Sequence, residues 1–225
     1  MKKKIKAVIF DMDGVLIDSE ISGYKYYKQA SLDVGAKWDE DMYLSTLGMT
    51  FADSDRKYIE FYGSKDILDK VVQRYHVLFF DDAYPNGDVP LKKGCREVIE
   101  YVQENNIPYC LATGSPMYVV DLSFLNQGYD KVPFKHIVNG DEVENGKPHP
   151  EIFIKAAKLM GVDVEDCMVV EDSRNGIKAA HNANALAVLV PDIIKPDEEM
   201  ISNADYIKND LLEVRDLIAE LIIKD

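Results

Sequence analysis

The sequence predicts an α/β fold, a doubly wound parallel-sheet core carrying an inserted α-helical segment, and three observations carry that reading. Short apolar runs rich in β-forming residues recur at 5–10, 107–112, 136–139, 167–170 and 185–190. From residue 85 onward these runs alternate with stretches whose apolar residues fall at helical spacing, the pattern of βα units and a parallel sheet. Between the first run and residue 84 the pattern is helical alone.

In chain order, residues 5–10, with Lys6 the one polar position, read as a short buried strand. Beyond Gly14 the spacing predicts helices over 21–32, 51–62 and 67–80 with no comparable strand among them. The turn-rich stretch Tyr84-Pro85-Asn86-Gly87-Asp88, followed by Pro90, marks the return to the core. Residues 16–84 are therefore expected as a helical cap domain inserted between the first core strand and the first core helix, with 1–15 and 85–225 as the core domain. Later elements are a helix over 151–160, another opening at Asn175-Gly176, a short strand at Tyr206-Ile207 and a closing helix over 211–223. No internal repeat or low-complexity segment interrupts the pattern.

The chemistry-bearing residues sit where strands end. Asp11-Met12-Asp13-Gly14-Val15 delivers two carboxylates to the C-terminal edge of the sheet, where open α/β folds bind ligands. Strand alternation sends neighbouring side chains to opposite faces, but past the strand end a curling backbone lets both aspartates flank one atom. Alone, this motif equally suits a solvated acidic turn or a divalent-cation loop. Further strand ends and loops add Thr113-Gly114-Ser115, then Gly146-Lys147-Pro148 before a helix, then Glu171-Asp172-Ser173. Ser115 has a competing role as a helix N-cap, since Pro116 suits a first helical position. Ser173 also reads as an N-cap, with Gly176 permitting close packing against the sheet.

The ordered set of four motifs, spread over nearly the whole chain, resembles the haloacid dehalogenase superfamily of phosphotransferases, and within it the β-phosphoglucomutase-like branch. The resemblance implies that Asp11 attacks phosphorus to give an aspartyl-phosphate, and that Asp13 is general acid and then general base. It further implies that Lys147 bridges nucleophile and phosphoryl oxygen, with Thr113, Gly114 and Ser115 binding the phosphoryl group. Mg²⁺ is implied on Asp11, the backbone carbonyl of Asp13 and Asp172, with Glu171 close by or acting through water, and Ser173 near the metal shell. Phosphate-monoester hydrolysis needs roughly 25–30 kcal/mol of barrier removed, so a nucleophile, a proton donor and fixed positive charge are all required.

The implied activity is Mg²⁺-dependent hydrolysis of a small phosphorylated metabolite, a sugar or sugar-alcohol monophosphate. Specificity is assigned to the cap loop Gly48, Met49, Thr50 and Phe51. Two departures count against a phosphomutase of the same branch. Leu47 and Phe51 stand where mutases carry basic residues, and Gly23 stands near the position of their histidine. Arg56 and Lys57, a turn beyond, keep that alternative open. Dehalogenase chemistry is disfavoured because Asp13 is present, and a catalytically silent binding protein because so many charges in one crevice are costly without a ligand. Cap tyrosines are numerous, and packing between helices is the expected role of any one of them.

Composition bounds the partners. The 225 residues include 26 basic and 40 acidic ones, a net charge of −14 that opposes nucleic acid and anionic membranes. An apolar share of 47% suits a packed core. Cys95, Cys110 and Cys167 have no metal-type spacing and read as small buried hydrophobes in a reducing cytoplasm. Met1-Lys2-Lys3-Lys4 looks like the basic start of a signal peptide, but the apolar run behind it stops at Asp11. A cytoplasmic monomer is expected.

Overall fold

The computed structural model describes residues 4–47, 49 and 51–223. Six parallel strands form one sheet: β1 (Ala7–Phe10), β2 (Tyr109–Ala112), β3 (His136–Val138), β4 (Cys167–Glu171), β5 (Leu186–Leu189) and β6 (Tyr206–Ile207), in the order β3-β2-β1-β4-β5-β6. The order reverses between β1 and β4, which makes the crevice beyond their C-terminal ends the topological switch point.

Strand limits follow from donor chemistry and neighbours. β2 begins at Tyr109 because Pro108 has no N–H, while the Pro108 carbonyl still accepts from Val8 N at 2.9 Å. Ile5 is drawn off β1 to pair with Ile222, its N–H donating to the Leu221 carbonyl at 3.1 Å. The closing helix accordingly stops at Leu221, two residues short of the expected end. β4 extends one residue further than its apolar run, taking in the fully buried Glu171.

Alternation along β1 feeds two cores. Val8 and Phe10 face a layer with Leu111, Met168, Val170 and Val188, covered by α5 (Cys95–Glu104), α6 (Met117–Leu125) and α10 (Leu211–Leu221). Ala7 and Ile9 face the other layer with Cys110, Val169 and Leu189, covered by α7 (Glu151–Met160), α8 (Arg174–Asn182) and α9 (Glu198–Asn203). The three cysteines lie in these layers, buried and in no disulfide. Ser115 does not cap α6. Pro116 occupies the cap position, one residue earlier than a first helical residue, and the Ser115 hydroxyl is spent elsewhere.

Between β1 and α5 lie α1 (Ser19–Asp33), α2 (Glu40–Leu44), α3 (Phe51–Tyr62) and α4 (Lys65–His76), the last continuing without a break into a π-helical stretch over Val77–Ala83. The sequence pattern misses α2, whose five residues are too few for a periodicity; Asp39 caps it, accepting from Met42 N at 2.7 Å. This helical layer has its own apolar cluster around Tyr27, whose ring lies 5.1–6.4 Å from those of Trp38, Tyr43, Tyr58 and Tyr75. Its two connections to the sheet run side by side. Ile17 and Leu91 form an antiparallel bridge, Asp18 N donates to Pro90 O and Lys92 N to Leu16 O, both at 2.8 Å. Among the described residues no helix is long and apolar enough to cross a membrane.

Candidate active site

Four backbone segments deliver the site to the switch point. Asp11 leaves β1 with its N–H on the Val170 carbonyl at 3.0 Å, and the chain then turns tightly through Gly14, at φ +74°. A Cβ at residue 14 would collide with the Asp172 carboxylate, so the glycine is what lets that carboxylate fold against the 11–14 turn.

Lys147 comes from the loop before α7 and is the hub. Its ammonium donates to Asp11 Oδ1 at 2.5 Å, to Glu171 Oε1 at 2.6 Å and to the Ala112 carbonyl at 3.3 Å. The other Glu171 oxygen, Oε2, accepts from Asp172 N and Ser173 N at 3.1 Å and from Ser173 Oγ at 3.0 Å. Ser173 in turn caps α8, its Oγ accepting from Gly176 N at 3.0 Å. Gly176 sits against the Glu171 carboxylate with no room for a side chain. Glu171 thus fixes Lys147 and the 171–173 turn together.

Asp13 is held from the other side. Ser115 Oγ donates to Asp13 Oδ2 at 2.7 Å and Thr113 Oγ1 reaches the same oxygen at 3.4 Å, while Ser115 N donates back to Thr113 Oγ1 at 3.0 Å. Gly114 lies between them on the loop, its carbonyl so near Gly140 that no Cβ fits at 140. The fixed orientation of Asp13 leaves its second oxygen, Oδ1, without a partner among the described residues.

The electrostatics are those of an acid-rich pocket with one fixed cation. Burial pushes the Asp11 carboxyl well above the usual carboxylate range; Lys147 pulls the other way, and Glu171 and Asp13 add to the rise. Asp172 is likewise raised, by burial first and then by Glu171 and Asp11. Burial works against the Lys147 ammonium, but the charges of Asp11 and Glu171 outweigh it and raise its pKa above the ordinary lysine value. Oxygens of Asp11, Glu171 and Asp172 all lie within 4.8 Å of one another. An all-oxygen, all-carboxylate set of this kind fits a hard divalent cation, whose charge would relieve the crowding that raises Asp11 and Asp172.

A cleft of about 370 Å³ opens beside these residues, with Glu20, Leu44, Ser45, Leu47 and Met49 from the helical layer on one side. Asp172, Ser173, Arg174, Ile193, Ile194 and Met200 form the other. Of the expected cap-loop set, Met49 lines the cleft and is exposed, Gly48 and Thr50 lie outside the described residues, and Phe51 begins α3. Arg56 turns to Asp53, while Lys57 donates to the Ser45 carbonyl and hydroxyl at the cleft edge. Sequence reasoning missed Glu20 and Arg174. Burial, with Asp13 and Asp192 adding, pushes the Glu20 carboxyl up to about 7, and Arg174 is engaged by Asp197 and Glu199. A larger cleft of about 530 Å³ at the opposite edge of the sheet, lined by Lys6, Asn106, Pro108 and Ile222, holds none of the site residues.

The fold agrees with what comparison finds. The haloacid dehalogenase-like hydrolase family model matches residues 5–184, and the chain belongs to that family. It is 34% identical over 200 residues to (DL)-glycerol-3-phosphatase 2 of Arabidopsis thaliana, covering 84% of this chain and 80% of that one. It is 28% identical over 215 residues to the bifunctional riboflavin kinase/FMN phosphatase of the same organism, covering 96% of this chain and spanning 56% of that longer protein. Among solved structures, a haloacid dehalogenase family hydrolase from Deinococcus radiodurans with bound phosphate and sodium superposes with a TM-score of 0.80 at 25% identity, over 98% and 97% of the two chains. A β-phosphoglucomutase from Clostridium difficile superposes with a TM-score of 0.70 at 25% identity, over 96% of each.

Proposed function

We propose that this chain is a Mg²⁺-dependent phosphatase of small phosphorylated metabolites, working through an aspartyl-phosphate on Asp11, with residues 16–84 as its cap. The observation that carries the reading is the hub. One buried lysine joins Asp11 to Glu171 while Asp13, separately held by Ser115 and Thr113, stands beside the same crevice.

Lys147 fixes Asp11 Oδ1, leaving Oδ2 to attack phosphorus. As the P–O ester bond breaks, Asp13 gives its proton to the departing alkoxide oxygen. A water molecule then attacks the phosphoryl group, Asp13 takes up that water's proton, and the bond from phosphorus to Asp11 breaks to release phosphate. The Gly114 amide suits a phosphoryl oxygen, and Thr113 and Ser115 would reach one by turning their hydroxyls from Asp13. Asp11, the backbone carbonyl of Asp13 and Asp172, with Glu171 behind them, would hold a divalent cation, which would supply the positive charge that lets a carboxylate approach a phosphate dianion. Closure of the helical layer over the sheet edge excludes water from the first step.

A panel of phosphomonoesters assayed with Mg²⁺ and with chelator tests this. Cation-dependent phosphate release is expected, and Asp11→Asn folds but does not turn over. Retained activity in Asp11→Asn removes the nucleophile and the mechanism with it. The phosphomutase reading draws on Lys57, which stands at the cleft edge. Isomerisation of β-glucose 1-phosphate with a bisphosphate primer, without release, would favour it.

A further inference from the structure

The cleft beside the carboxylates has an apolar lining that phosphoryl transfer itself does not use. Leu44, Leu47 and Met49 line it from the helical layer, and Ile193, Ile194 and Met200 from the core. Leu44 and Leu47 also pack against the apolar cluster around Tyr27, and Met200 belongs to the core layer of Ala7 and Ile9. Ile193 and Ile194 do neither. They are half-buried, stand in an irregular segment beyond β5, and belong to none of the three apolar clusters of the described residues. What they line instead is the cleft.

The segment that carries them is braced at both ends. Val190 N donates to the Glu171 carbonyl at 2.7 Å, so the chain leaves the sheet at the catalytic edge. Asp192, its side chain only 4% exposed, accepts from Lys92, which also donates to Asp18 at 3.2 Å. At the far end Asp197 accepts from Met200 N at 2.9 Å and pairs with Arg174. Pro191 and Pro196 restrict the backbone between these anchors. Apolar side chains kept out of the core forgo burial on folding, and fixed ends hold these two at the cleft, a preorganised surface that lowers the cost of binding. Burial is also the first cause of the rise in the Glu20 carboxyl, which lines the same cleft. At about 370 Å³, with apolar sides and few polar groups, the cleft has the make-up of a small-molecule site. Polyol hydroxyls set against six apolar side chains would lose water without gaining partners, whereas a ring gains by burial and by contact with adaptable methionine thioethers.

We propose that Ile193 and Ile194 are specificity residues that, across the cleft from Leu44, Leu47 and Met49, bind an apolar ring on the leaving alcohol, so that ring-bearing monophosphates are preferred over short polyol phosphates. The claim rests on the phosphatase reading and names an alcohol unlike the sugar or sugar alcohol that the resemblance implies. The test measures kcat/KM with Mg²⁺ for 2-phenylethyl, ethyl and glycerol phosphates, the first two sharing alkyl leaving-group chemistry and differing by the ring. Wild type is expected to prefer the phenylethyl ester about tenfold over either of the others. Ile193→Ser and Ile194→Ser should each lower the phenylethyl-to-ethyl ratio about tenfold, and Ile193→Val and Ile194→Val, milder changes that keep the loop, about threefold. Both esters are read on one preparation, so any loss of folded enzyme cancels from the ratio. Ile201→Ser, at a side chain 50% exposed on α9 but off the cleft, leaves the ratio unchanged. A wild type without the ring preference, or serine and valine variants whose ratio matches wild type, would overturn the inference; both esters falling together would make the pair a seal between helical layer and core. No phosphate release from any phosphomonoester by the wild type would instead overturn the phosphatase reading beneath it.

Discussion

Replacing Gly176 with alanine sets two effects of opposite sign against each other. Residue 176 is in the first turn of α8, φ is ordinary, and alanine is the better helix former by up to about 1 kcal/mol. On propensity alone the variant gains stability. The structure argues the reverse, because the new methyl would sit about 1 Å inside the 3.0 Å closest approach to the Glu171 carboxylate. That carboxylate cannot swing aside. It is fully buried and accepts from Lys147, Asp172 and Ser173 at 2.6–3.1 Å. Either α8 moves outward or those bonds stretch, and overpacking of this kind costs about 1–3 kcal/mol. After the propensity gain, a net loss of up to about 2 kcal/mol remains, up to about 8 °C in Tm for a chain of this size. The catalytic effect is larger, since displacing Glu171 moves Lys147 from Asp11, and misplacement by an ångström costs about 100-fold in rate. Urea and thermal unfolding with chelator present give the first quantity, and kcat/KM for the best phosphomonoester with Mg²⁺ gives the second. A variant as stable as wild type with unchanged kcat/KM would refute the argument that Glu171 is an immobile brace.

Three further outcomes are expected. Glu20 is raised from 4.5 to about 7 by burial and by Asp13 and Asp192, so the folded state holds its proton longer than the unfolded state does. Its contribution is therefore most favourable below pH 4.5 and is lost as pH rises through 7; metal-free Glu20→Gln should be more stable than wild type at pH 8, by at most about 3 kcal/mol, and lose that advantage by pH 4.5. Lys92, which ties Asp18 in one connection to the buried Asp192 beyond β5, should cost about 3 kcal/mol when replaced by methionine, read as a lowered urea midpoint. Saturating Mg²⁺ should raise Tm, by about 2.7 kcal/mol of added stability at 100 times its Kd, and Asp172→Asn should abolish the rise.

The sheet and its edge were legible because they depend on strong local signals. Runs such as Val8–Phe10 and Val169–Val170 have few alternatives to a buried strand, and the aspartates that follow β1 and β4 mark where the strands end. Lys147, Thr113 and Asp172 were legible through their order along the chain, which the switch-point topology converts into proximity. Glu20 was not. It follows Asp18 and Ser19 in what reads as a polar helix start, and only the overlay of α1 on the sheet edge makes its carboxyl part of the site. The Ser115 cap failed for a related reason. Its hydroxyl has two local uses, and the aspartate that claims it lies 102 residues away.

Charge balance is the argument that joins these observations. Asp11, Asp13, Glu171 and Asp172 meet at one strand edge, Lys147 is the single cation bonded among them in the described residues, and Glu20 adds a further acid at the mouth of the cleft. Buried like charges at such spacing destabilise a fold unless something of opposite sign is shared between them. Hydrophobic packing cannot supply that. A lysine fixed by two carboxylates offers only its remaining field to a phosphate, which itself brings two more negative charges. A divalent cation on Asp11 and Asp172 would, together with Lys147, offset three of those four carboxylate charges, which is the sense in which the arrangement is the protein's share of a cation site. Glu171 is what keeps the parts in register, because the same carboxylate that anchors the ammonium also holds the backbone of Asp172 and Ser173.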